Sequence, residues 1–134
     1  SKYGFSQMCE TLLAVFYKAK RESVIVLFLD EKNLCIDVKV RVGSKKAIKF
    51  ITEEIYSQTL LLIKTNKVIV IYNHYKEEML IAIDTKVDVR QAATLYTNLP
   101  DGVKLAGYVV RYKRKTVSLI ESQEFKKMIS GNVS

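Results

Sequence analysis

The chain has one histidine, His74, and it sits in the stretch IYNHYKEEMLIAIDTKVD, residues 71–88, which ends on Asp88. Imidazole and carboxylate are donor types that zinc takes, and imidazole is also the usual proton carrier near neutral pH. Both residues have plainer readings. Thr85 and Asp88 form T-x-x-D, Asp88 and Gln91 form D-x-x-Q, and either pattern caps the start of a helix. His74 ends an apolar run, where a histidine commonly serves as a hydrogen-bonded strand-end residue. Glu22 opens another apolar run and reads as a solvated charge. Cys9 and Cys35 make no C-x-x-C pair and lie in apolar surroundings, so two buried free thiols and an intracellular location are expected. Ser44 and Ser118 have no base partner, and no glycine-rich loop is present to cradle phosphate.

A second chemistry lies in the charge. Lysine and arginine number 22 against 14 acidic residues, a net charge of +8. Much of the excess falls in RYKRK, where Arg111, Lys113, Arg114 and Lys115 are candidate nucleic-acid contacts. A solvated basic turn is the competing explanation. Hydrophobic residues make up 49% of the 134-residue chain and charged residues 27%. That balance reads as one folded domain spanning 1–134. Its longest apolar runs, SVIVLFL and LLLI, are far too short to cross a bilayer. The N-terminal stretch alternates apolar and polar residues at helical spacing, unlike a signal peptide. A cytoplasmic protein without a membrane partner is expected.

The elements that must position these groups follow from periodicity. Phe5, Met8, Cys9, Leu12, Leu13 and Phe16 recur on one helical face and predict a helix over 5–19. ESVIVLFLD is a continuous β-branched and aromatic run, as for a strand buried on both faces. Asp30 to Asn33 makes a turn into LCIDVKVRV. There Cys35, Asp37, Lys39 and Arg41 alternate with Ile36, Val38, Val40 and Val42 in a half-exposed partner strand. Ile48, Ile51, Ile55 and Leu62 predict a helix from Lys45 to about Ile63. KVIVIYNH reads as a second fully apolar strand, turning at YKEE into an antiparallel mate, EMLIAID. Val89, Ala92, Ala93 and Tyr96 predict a short helix stopped before Pro100. VKLAGYVV and TVSLIES read as a closing strand pair around the basic turn, followed by a helix near Glu124 to Ile129. The order α-β-β-α-β-β-α-β-β-α predicts an α/β domain, a mixed β-sheet flanked by helices.

In this order several stretches resemble the JAB/MPN domain, and within it the RadC-like branch. ESVIVLFLDEKNLCID is similar to that branch's opening glutamate, apolar strand and LD-x-x-N turn, and TEEIYSQTLL to its EIF…AL helix. VIVIYNH matches the strand leading into the metal motif, and VKLAGYVVRYKRKTVSLIE the closing hairpin and VSL-x-E end. The resemblance covers about residues 20 to 121 and rests on order and spacing. It implies a JAB/MPN-like fold with cytidine-deaminase-like layers and an association with DNA repair. It also implies zinc held by H-x-H and the aspartate of S-x-x-D, with an upstream glutamate as general base. By position, Glu22 matches the general base, His74 the second histidine, and Asp88 the aspartate, within TKVD. Tyr72 stands where the first histidine belongs, and YKE replaces the family's proline-serine-glycine.

A catalytic zinc takes three protein ligands and a water, and a neutral phenol with a pKa of about 10 is a poor donor. His74 and Asp88 alone are too few, so a degenerate, empty site is expected, with Glu22 a remnant base and no cofactor. The leading expectation is a non-catalytic JAB/MPN-like module that binds a protein or nucleic-acid partner. The alternatives are a metal-dependent peptidase or isopeptidase with a changed ligand set, for which zinc would be the cofactor, and an unrelated basic nucleic-acid-binding domain.

Overall fold

Residues 22–43, 46–60, 65–74, 82–112 and 115–131 are described by the computed structural model. The helix expected over 5–19 and the YKEE turn fall outside them, as does Leu62. Strand β1 (Ser23–Leu29) is buried at every position, as a seven-residue run without a polar alternation demands. It turns through Asp30, whose carboxylate accepts the backbone N–H groups of Lys32 and Leu34, at 2.8 and 3.0 Å. Asn33 takes the left-handed conformation there, φ 64°. Asparagine tolerates that conformation better than most residues. Strand β2 (Cys35–Val42) returns antiparallel to β1, and helix α1 (Ala47–Leu60) leads to β3 (Lys67–His74). Helix α2 (Ala82–Thr97) follows, then β4 (Lys104–Tyr112), β5 (Lys115–Ser118) and α3 (Gln123–Gly131).

These strands form one five-stranded mixed sheet in the order β2-β1-β3-β4-β5. The two apolar runs are adjacent inner strands, antiparallel to each other, and β3 pairs parallel with β4. A parallel pair needs a crossover, and α2 supplies it. Val24, Val26 and Phe28 of β1 share a core with Val68 and Val70 of β3, Ile51 and Ile55 of α1, and Val89, Ala92 and Leu95 of α2. Ile25, Leu27, Ile69 and Ile71, on the opposite sheet face, are buried as well.

Five expectations change. EMLIAID is not a strand throughout: Ala82, Ile83 and Asp84 form the start of α2, and the residues before them lie outside the described ones. Its apolar residues suit a strand and a helix equally, and in a run this short period does not decide between them. Asp88 consequently lies inside α2 and is not its cap. Tyr96, expected on the buried stripe, is exposed, with its ring edge-on to Phe125 at 5.7 Å, while Leu95 takes the core position. The strand expected through TVSLIES stops at Ser118. A turn follows it, and Ser122 caps α3. The Ser122 hydroxyl accepts the Phe125 N–H at 3.2 Å. Cys35 is a free thiol but an exposed one. Partial burial is the main influence on its thiol pKa, which is raised. Cys9 lies outside the described residues.

Candidate functional site

The antiparallel pairing of β1 with β3 sets Ser23 opposite Asn73, so Glu22, just before β1, meets His74 at the end of β3. Side chains alternate along a strand. His74 therefore shares the face of Tyr72 and Val70, and that is the face on which α2 packs. Helix α2 brings Asp88 onto the histidine ring. Its carboxylate oxygens stand 3.0 and 3.2 Å from His74 Nε2. Glu22 Oε1 lies 3.6 Å from the other ring nitrogen, Nδ1. Glu22, His74 and Asp88 thus converge, although they come from three separate elements.

Asp88 is 1% exposed, so its charge has left water almost completely. A buried carboxylate needs hydrogen bonds or a counter-charge to offset that loss. Donation from Nε2–H supplies one, and it fixes the proton on Nε2. The Glu22 contact is longer than a hydrogen bond and acts through charge when the ring is protonated. Tyr72 lies against the imidazole, ring centroids 4.4 Å apart and planes inclined by 33°. The phenol covers one flank of the ring.

One further residue belongs to this cluster. Tyr108 of β4 is level with Val70 in the parallel register, on the same face as Tyr72 and His74. It is fully buried, and its hydroxyl has no partner among the described residues. Burial, then the Asp88 charge, then Tyr72, push its pKa well above the ordinary tyrosine value. The sequence offers only a weak signal for it, an aromatic residue inside an apolar strand. Its nearness to Asp88 depends on the β3–β4 register.

The donor set does not fit a catalytic zinc. Two donors held by one tetrahedral ion at about 2.0–2.1 Å stand roughly 3.3 Å apart. His74 Nε2 and the Asp88 oxygens, 3.0 and 3.2 Å apart, hydrogen-bond at nearly that separation, so it is the number of donors on one side of the ring, two, that falls short of the usual three. Glu22 reaches the ring from Nδ1, the side away from Asp88. No group of three His, Cys, Asp or Glu residues suited to a metal occurs among the described residues.

Arg111, the first residue of the basic stretch, lies at the same end of the sheet. Parallel pairing sets Asn73 beside Arg111 and His74 beside Tyr112, and Tyr112 pairs with Lys115 across the β4–β5 turn. Arg111 Nη1 donates to Thr116 Oγ1 at 3.4 Å. Lys113 and Arg114 lie outside the described residues. No described helix is long and apolar enough to cross a membrane.

No protein-family model matches the chain, and no curated protein matches it.

Proposed function

We propose that the chain is a JAB/MPN-like domain of the RadC-like type that has lost zinc catalysis and serves as a binding module for a macromolecule, with DNA as the partner the resemblance implies. The observation that carries this reading is the convergence of Glu22, His74 and Asp88 at one end of the β1–β3 pair. These residues are far apart in sequence, and the family's motif is what selects them from it. The mixed sheet with adjacent apolar inner strands is consistent with the same origin. Loss of catalysis follows from the donor count. With Tyr72 in the first-histidine position, two ligands are left to hold an ion and acidify its water, one short of the usual three.

Metal binding tests this directly. Protein purified without chelator should carry no stoichiometric zinc. Tyr72→His restores H-x-H at a stacked position that already holds a planar ring, and should raise zinc affinity measurably in calorimetric titration. Adding Asp88→Ala should abolish that gain. A parent protein carrying about one zinc per chain would revive the hydrolase reading, because structural and catalytic zinc sites bind tightly at neutral pH. A Tyr72→His variant no better than the parent would sever His74 and Asp88 from any metal-site ancestry.

A further inference from the structure

Strand β2 has its burial pattern inverted. Its charged residues Asp37, Lys39 and Arg41 are half-buried, while Ile36, Val38, Val40 and Val42 are exposed, as is Leu34 just before them, at 37% to 61%. The register explains the charged face. Asp37, Lys39 and Arg41 lie opposite Phe28, Val26 and Val24, so they share the face covered by α1. Asp37 accepts a hydrogen bond from Gln58, and the Arg41 guanidinium lies 5.8 Å from the Phe50 ring centroid. The apolar face has no such account. It continues the Ile25–Leu27 side of the sheet out to β2, which has no strand on its outer side among the described residues. An edge strand with an exposed apolar stripe is a ready template for pairing with another strand.

We propose that β2 pairs antiparallel with β2 of a second copy of this chain, about a two-fold axis through Val38, joining the two five-stranded sheets into one. The sequence is self-complementary in this register. On the apolar face Val38 meets its own copy, Ile36 meets Val40, and Leu34 meets Val42. On the charged face Asp37 meets Lys39, twice, and Cys35 meets Arg41. Opposite charges directly across a strand pair stabilise it and like charges oppose it. Sliding the pair by two residues sets Lys39 on Lys39 in one direction and Asp37 on Asp37 in the other. Sliding by one puts apolar side chains against charged ones. The Val38-centred register avoids each of these conflicts. In the single chain Asp37 Oδ1 accepts the Val38 N–H at 2.8 Å. Dimerisation hands that N–H to the partner's carbonyl and turns Asp37 to the partner's lysine. Glu22, His74 and Asp88 take no part in this register, so the pairing stands or falls independently of the functional reading.

Sedimentation velocity over a concentration series should show the chain passing from monomer to dimer. Val38→Lys places two ammonium groups together on the axis and should hold it monomeric, with an unchanged far-ultraviolet circular dichroism spectrum. Asp37→Lys alone and Lys39→Asp alone should each be monomeric, yet dimerise when mixed in equal amounts, since the mixed pair restores both charge matches. Where Asp37→Lys impairs folding, oxidative cross-linking in a chain with Cys9 and Cys35 replaced by serine reads the register instead. Val38→Cys should then link to its own copy and Val40→Cys should not. A chain monomeric at every concentration, a dimer that survives Val38→Lys, or equal cross-linking at both positions would overturn the proposal.

Discussion

Tyr108 shows how a single buried hydroxyl reports on the whole cluster. Its O–H is buried without a partner among the described residues. Such a group costs roughly 1–3 kcal/mol relative to its hydrated state. Tyr108→Phe removes that oxygen at nearly constant volume, so the variant should be at least as stable as the parent, by up to about 1 kcal/mol, in urea denaturation. The pH profile gives a second reading. The folded pKa of Tyr108 is raised, so the folded state holds this proton after the unfolded chain has released it. Its contribution is therefore complete below the unfolded value of about 10 and is lost as pH rises beyond it. Stability of the parent should fall above about pH 10, and Tyr108→Phe should flatten that fall. An unchanged alkaline slope would place the Tyr108 hydroxyl in contact with water. Such a residue is hard to find in sequence, because GYVV carries no motif. Glu22 and Asp88 become candidates only through the family resemblance, since their local contexts favour a solvated strand start and a helix cap.

Among the elements, those with a strong and unambiguous apolar pattern were legible. SVIVLFL and KVIVIYNH lack polar alternation, and both are inner strands. Ile51 and Ile55 recur at helical spacing, and both are in the core. EMLIAID misleads because Leu80, Ile81 and Ile83 satisfy two periods at once, and nothing before Ala82 breaks a helix as proline or glycine would. Strand β2 alternates as expected, but alternation does not say which face is covered, and the helix that decides it comes later in the chain. The packing of α1 on the sheet sets the scale for perturbation. Ile51 of α1 is fully buried in the core it shares with β1. Ile51→Ala deletes that side chain and should cost about 3 kcal/mol in equilibrium unfolding. Ile48→Ala, at the partly buried margin of the same helix, should cost less than half as much. Equal losses at the two positions would mean that α1 presents a different face to the sheet.

At the scale of the whole molecule, charge and topology act together. A net charge of +8 attracts polyanions from any direction, but the parallel β3–β4 register gathers part of it at one end. Arg111 and Tyr112 stand beside Asn73 and His74, so a backbone tracking this end of β4 would pass the Glu22–His74–Asp88 cluster. Phosphate contacts release condensed cations, and for duplex DNA each contributes a slope of about −0.9 in log K against log salt. Fluorescence anisotropy with a labelled duplex should therefore show binding that weakens steadily as salt rises. Replacing Lys113, Arg114 and Lys115 together with alanine should reduce the slope by up to about 3, and Arg111→Ala by about 1. Asp88→Asn keeps a hydrogen-bond acceptor for His74, and its buried side chain offers no phosphate contact, so it should leave the slope unchanged. Binding with equal salt dependence in the parent and the hairpin variants would assign the attraction to net charge spread over the surface. Undetectable binding at low salt would turn the module toward a protein partner, since a domain this basic that makes even a few phosphate contacts binds duplex DNA most strongly there.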